Sequence, residues 1–184
     1  MTNKIQLPNK KLPIETVNPK RLVVYSKPKT GKTTAFSMLE NNLIIDLEDG
    51  TDYVEALKIK VNSLEELKAV GEEIKAQKYP YKYITVDTVT ILEDLVMPLA
   101  LGLYKETPMG KNFTQNDVLK LANGAGYQYL REAFFNVLDY IDTLAPYIIL
   151  SGHIKDKLTD DTGKLVESAN IDLKGKIRDR KSVV

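Results

Sequence analysis

Residues 26–34 read SKPKTGKTT, and they stand between an apolar run, LVVY at 22–25, and a helix-forming stretch at 35–40. A strand that enters a tight bend and leaves as a helix turns successive backbone N–H groups toward one point. The first turn of the helix adds the positive end of its dipole there. Such a bend suits phosphate oxygens, and it limits the chain to folds in which strand, bend and helix are consecutive. The cradle comprises Ser26, Lys27, Pro28, Lys29, Thr30, Gly31, Lys32, Thr33 and Thr34. In that pattern the Lys32 ammonium reaches the β- and γ-phosphates of a nucleotide, the Thr33 hydroxyl ligates Mg²⁺, and Gly31 lets the backbone pass close to the ligand. The usual spacing, G-x-x-x-x-G-K-[ST], begins with glycine; here Ser26 stands first.

The chain's 184 residues, 43% of them apolar, are enough to bury one full core and fit one domain. The absence of cysteine excludes disulfides and thiolate metal sites and fits a reducing compartment, while the lone His153 cannot build a zinc site. No apolar stretch approaches the roughly 20 residues of a membrane span, and residues 1–20 lack the apolar segment of a signal peptide. The expectation is a soluble, cytoplasmic protein with no membrane partner. The net charge of +1 conceals an uneven distribution. Residues 1–22 carry five cations against Glu15, and residues 174–181 carry five against Asp179, which leaves the middle at −7. Basic ends attract a phosphate backbone, and they also match solvated charged tails.

Pro8, Pro13 and Pro19 among polar residues make residues 1–20 an extended basic arm, with a single domain over 21–184. Beyond the phosphate loop, LIIDL at 43–47 is a nearly continuous apolar run of the kind found in buried parallel strands. A short strand is expected at 56–61. The capping-box pattern at 63–66 opens a helix to about Lys78, with Leu64, Leu67, Val70 and Ile74 on one face. YITV at 83–86 is the next strand, ending at Asp87, followed by a helix over 89–103 broken near Pro98. Residues 104–113 read as irregular, 126–145 as a strong amphipathic helix stopped by Pro146, and 147–150 as a buried strand leading to Ser151, Gly152 and His153. A hairpin turn is expected at 160–163, between charged, alternating segments. Strands alternating with helices predict an α/β fold: a mainly parallel sheet with helices on both faces and its ligand at the carboxyl ends of the strands. The chain stops at Ser182-Val183-Val184, which reads as the start of another strand, so a C-terminal extension is expected beyond it.

Phosphoryl transfer requires neutralised charge, an oriented attacking group and a contact to the γ-phosphate. Asp87, at a strand end, is placed to hold Mg²⁺ directly or through water; the same position suits a helix cap. Asp46 and Glu48 alternate onto the same face, so either can point at the γ-phosphate, and Glu48, nearer the strand end, is the choice for the general base. His153, after a buried strand and a glycine, is the candidate to hydrogen-bond the γ-phosphate.

The phosphate loop, IIDLEDG at 44–50, YITVDT at 83–88 and ILSGH at 149–153 occur in this order. Together they resemble the RecA-like ATPase core, and most of all the compact phage-encoded ATPases of that superfamily associated with single-strand annealing and recombination. The resemblance spans residues 21–176. It implies ATP and Mg²⁺ as cofactors, Lys32 and Thr33 on phosphate and metal, Asp87 as the Walker B acid, Glu48 for water activation and His153 as sensor. It further implies action on single-stranded DNA in phage recombination or replication, within the host cytoplasm. A homo-oligomer with nucleotide at its subunit interface and an annealing or replication protein as partner follow from the same likeness. Segments 104–123 and 154–172 would face DNA, and Lys174, Lys176 and Arg178 are candidates to reach a neighbour's nucleotide. Two other readings stay open. A P-loop small-molecule kinase would clamp phosphate with arginines, of which the chain has Arg21, Arg131, Arg178 and Arg180. A nucleotide-bound structural or virion-associated protein would retain binding with vestigial hydrolysis.

Overall fold

In the computed structural model, which describes residues 20–154 and 171–174, the five apolar runs become strands. They are β1 (Arg21–Ser26), β2 (Asn42–Asp46), β3 (Leu57–Lys60), β4 (Tyr83–Asp87) and β5 (Tyr147–His153). All pair in parallel in the order β1-β5-β4-β2-β3, so β5 is inserted between β1 and β4. The register aligns the strand ends: Asp46 is level with Asp87, Asp87 with Ser151, and Ser26 with His153. Every strand therefore delivers its last polar residue to one edge of the sheet.

Side-chain alternation divides the sheet into two unlike faces. Leu43, Ile45, Ile84, Val86, Ile148 and Leu150 point to the main core. There they meet α2 (Leu64–Ala76), α3 (Val89–Leu95), α4 (Met97–Glu106) and α5 (Gly126–Asp142), whose Leu67, Leu92, Phe134 and Leu138 are almost fully buried. The opposite face carries Ile44 and Ile149, covered by Phe36 of the six-residue α1 (Lys32–Ser37). A polar relay completes that cover: Thr85 Oγ1 donates to Asn42 Oδ1 at 3.0 Å, and Asn42 Nδ2 donates to the carbonyl of Phe36 at 2.8 Å. Both faces bear helices, as the alternation of apolar runs predicts, but very unequally.

Element boundaries differ from the sequence reading for local reasons. Helix α1 starts at Lys32, not 35, because Gly31 takes the N-cap position itself in a left-handed conformation (φ 89°), and it stops before Asn41 turns to φ 56°. The helix expected to run to 145 ends at Asp142. Pro146 disfavours helix in the residue before it, and the Thr143 hydroxyl donates to Tyr140 O at 2.7 Å to close the last turn. The break near Pro98 falls at Val96, with Pro98 in the first turn of α4, and α4 continues to Glu106, into the stretch expected to be irregular. At α2, Ser63 Oγ accepts from Glu66 N–H at 3.1 Å, while the Glu66 carboxylate accepts from Asn62 N–H at 2.7 Å, one residue before the position a capping box uses.

The arm at 1–19 and the hairpin turn at 160–163 lie outside the described residues. The two ends of the latter excursion are tied to β5 and α3. Ile154 bridges Ile171 in antiparallel fashion, Asp172 N–H donates to His153 O at 2.8 Å, and Thr90 Oγ1 donates to Asp172 O at 3.2 Å. Gly152 permits this approach, since a Cβ there would stand 2.7 Å from the Ile171 side chain. The Glu93 carboxylate, 1% exposed on α3, accepts Lys174 N–H through both oxygens at 2.8 and 3.0 Å. Burial pushes this carboxyl up to about 7, against the opposing pull of the Lys174 amide. A carboxyl that keeps its proton in the folded chain while the unfolded chain releases it makes stability fall as pH rises between the two values. Urea unfolding from pH 4.5 to 7.5 should therefore show wild type losing about 2 kcal/mol relative to Glu93→Gln across that window. Parallel pH profiles for the two proteins would contradict the assignment.

Candidate phosphate-binding site

The bend after β1 is built from its own side chains. Its left-handed positions are Lys29 (φ 59°) and Gly31 (φ 89°); Ser26 is not among them, so the first position of the motif needs no glycine here. Instead the serine contributes contacts. Ser26 Oγ hydrogen-bonds Thr30 Oγ1 and accepts from Lys32 Nζ at 3.1 Å, and Thr30 Oγ1 donates to Lys27 O at 2.9 Å. Lys32 Nζ also reaches Lys27 O at 3.3 Å, so the ammonium is folded back over the bend.

Asp87 meets the loop from β4. Its Oδ2 accepts the Thr33 hydroxyl at 2.6 Å, and the residue is 5% exposed. The helix-cap alternative fails, because the N-cap of α3 is Thr88, which makes no side-chain cap hydrogen bond. Thr33 and Asp87 thus present two hard oxygen donors side by side. That set suits Mg²⁺, which takes one or two protein ligands and completes its shell with phosphate and water.

The acidic cluster after β2 separates into different roles. Asp46, 2% exposed, is turned under the loop: it accepts Glu48 N–H at 3.0 Å, Gly50 N–H at 3.2 Å, Thr51 N–H at 3.0 Å and the Thr51 hydroxyl at 2.6 Å. Burial raises its carboxyl pKa, but the Thr51 hydroxyl and the three amides outweigh it, and the group lies below its ordinary value. Asp49 and Asp52 face outward and pair with Lys60 at 3.1 and 3.0 Å. Lys58 Nζ braces the same loop by donating to Val54 O at 2.9 Å and to Thr51 O. Glu48 alone of the four acids turns to the cleft, where its two oxygens lie 2.8 and 2.9 Å from His153 Nε2. A carboxylate only accepts, so Nε2 carries the proton; Nδ1 is buried and has no hydrogen-bond partner.

These groups share a cleft of about 510 Å³ lined by residues 28–34, Glu48, Asp87 and His153. Of the expected cradle, Ser26 and Lys27 do not line it and support it from behind. Gly50, the end of the acidic motif, also lines it, and two further lining residues escaped the sequence reading: Val54 and the fully exposed Tyr53. The available signal was an aromatic residue in the short loop directly after the acidic strand end. The segment at 104–123 is elsewhere, with Tyr104 packed on Phe113 and Tyr129 at ring separations of 5.1 and 5.2 Å. Among the described residues no helix is long and apolar enough to cross a membrane.

A parallel sheet whose first strand feeds a phosphate-type loop, with an acidic residue from a non-adjacent strand bonded to the loop threonine, defines an α/β P-loop nucleotide-binding domain. A family model described as an AAA domain matches residues 18–180, and the chain belongs to that family, an ATPase-type nucleotide-binding domain. A search of curated proteins finds no match.

Asp46 has a checkable consequence. A carboxyl held below its ordinary value stabilises the fold above that value and loses the contribution as pH falls through its lowered one. Asp46→Asn should cost about 2 kcal/mol in urea unfolding at pH 7, since an amide cannot accept at every contact. The gap to wild type should narrow once pH drops below the ordinary 3.8. A gap independent of pH would show that the charge of Asp46 is not what organises the loop.

Proposed function

We propose that the cleft binds ATP with Mg²⁺ and hydrolyses it, in a protein that acts on single-stranded DNA during phage recombination or replication. The observation that carries the ATPase reading is convergence: Lys32, Asp87, Glu48 and His153, up to 121 positions apart in sequence, line one cleft. Lys32 exchanges the loop carbonyls for β- and γ-phosphate oxygens, which its flexible stem allows. Thr33 and Asp87 are the residues to hold Mg²⁺, which when bound neutralises phosphate charge. Glu48 orients the attacking water and takes its proton, and His153 touches the γ-phosphate. The exposed ring of Tyr53 gives the nucleobase a stacking surface at the cleft wall.

Support for DNA as partner comes from charge: the ends of the chain are basic while the middle is acidic. The reading includes a homo-oligomer with nucleotide near the subunit interface and an annealing or replication protein as partner. The Lys174 ammonium is paired with Asp94, which favours Lys176 and Arg178 as the cations to reach a neighbouring subunit's nucleotide. The kinase reading loses ground on the arginines: Arg21 is fixed by Asp139 and Asp142, and among the described residues no arginine lines the cleft.

Phosphate release measured with and without single-stranded DNA, at two salt concentrations, tests the whole reading. Turnover should rise with DNA, and the rise should shrink at higher salt as counterions compete. Phosphate transfer to an added nucleoside would favour a kinase, and tight binding without turnover a structural role. Lys32→Ala should abolish turnover, and Glu48→Gln should retain ATP and lose turnover about 100-fold or more. Tyr53→Ala should raise KM about tenfold with kcat little changed, as expected for lost base stacking. Undiminished turnover in Glu48→Gln would remove Glu48 from the chemistry.

A further inference from the structure

His153 offers the cleft one donor and faces two anionic claimants. Its Nε2 already lies 2.8 and 2.9 Å from the Glu48 oxygens, and Nδ1 is buried without a hydrogen-bond partner. The imidazole side chain is 20% exposed and the Glu48 side chain 40%, so the pair sits at the cleft wall rather than in bulk water. The parallel register sets His153 level with Ser26, the first residue of the phosphate bend. One N–H cannot hydrogen-bond well to a carboxylate and to a terminal phosphate at once, and the two anions repel each other in a partly desolvated cleft.

We infer that the Glu48–His153 pair makes release of the general base conditional on a nucleoside triphosphate: a γ-phosphate oxygen takes the Nε2–H from Glu48, at some expense of triphosphate affinity, and so frees that carboxylate. A diphosphate leaves the pair intact and Glu48 occupied. Release of the base is thereby tied to the presence of the group to be cleaved. The inference rests on the nucleotide-binding reading above and adds to it a competition at a single atom.

The chain contains one histidine, so ¹⁵N-histidine labelling gives an unambiguous imidazole signal. Glu48→Ala should move that signal in the free protein. In wild type, Mg·ADP should leave it in place and Mg·ATPγS should shift it. Calorimetry with both nucleotides on wild type, Glu48→Ala, His153→Ala and the double variant completes the test. Removing Glu48 should tighten ATPγS binding about tenfold when His153 is present and leave ADP binding unchanged. With His153 replaced, the same removal should gain less than about twofold, because coupling through one donor is what the cycle measures. An equal gain in both backgrounds would mean simple repulsion between Glu48 and the γ-phosphate, and would overturn the inference. So would an imidazole signal shifted alike by ADP and ATPγS. Failure of both nucleotides to bind would instead remove the nucleotide-binding reading, and this inference with it.

Discussion

The hydrogen bond between Thr33 and Asp87 depends on where β5 lies. With strands about 4.8 Å apart, inserting β5 between β1 and β4 separates the phosphate bend from the aspartate strand by two spacings. The helix that leaves the bend must therefore cross β5 before its threonine can touch Asp87. Phe36 secures that path by seating on Ile149 of β5 and Ile44 of β2, and the chain Thr85–Asn42–Phe36 O holds the far end of the same short helix. The thin face of the sheet is thus the one that positions the chemistry. Its few contacts are polar or centred on one phenylalanine, whereas the thick face supplies most of the buried apolar area.

Groups that would meet a ligand are satisfied by one another in the free protein. Lys32 rests on loop oxygens, Thr33 on Asp87, and Glu48 on His153. An unpaired polar group in a partly dry cleft carries a desolvation cost, so each ligand contact made must replace an internal one of similar kind. Binding is then an exchange of partners within a loop that is itself held from behind. Asp46 secures the amides of Glu48, Gly50 and Thr51, Lys58 secures two carbonyls, and neither Asp46 nor Lys58 itself lines the cleft.

How much of this the sequence disclosed follows from the range of each signal. The strands, the bend and the order of Asp87, Glu48 and His153 along the chain were legible because each rests on a local pattern: an apolar run, a glycine-lysine-threonine bend, a polar residue at a strand end. Alternation puts Asp46 and Glu48 on one face, and nearness to the strand end favoured Glu48 as the base, but no local pattern marked Asp46 as the carboxylate that holds the loop. The conformation of residues 47–51, with Asp49 at φ 57°, places the first beneath the loop and turns the second to the cleft. Tyr53 was missed because exposure of a loop aromatic at a cleft is a tertiary fact without a periodic signature. The part played by Ser26 was hidden as well. The motif marks that position only as a departure from glycine, while its hydroxyl contacts to Thr30 and Lys32 require the folded bend.

The same strand end that brings His153 to the cleft also carries the chain's exit and return. His153 donates a side-chain proton toward Glu48, while its own carbonyl accepts Asp172 N–H and its successor bridges Ile171. A Cβ at Gly152 would stand 2.7 Å from the Ile171 side chain of the returning segment, so a larger residue there would make that side chain shift. Glu93 and Thr90 then fasten that segment to α3, the helix that begins directly after Asp87 and Thr88. A displacement of the imidazole large enough to move its main chain must therefore break or carry along the contacts at 171–174. Through α3, those contacts lead back to the strand that bears Asp87. The acid and the imidazole are joined by the sheet on one side and by this short return on the other. Two routes of bonded contacts, the β4–β5 ladder and the return at 171–174, therefore connect them.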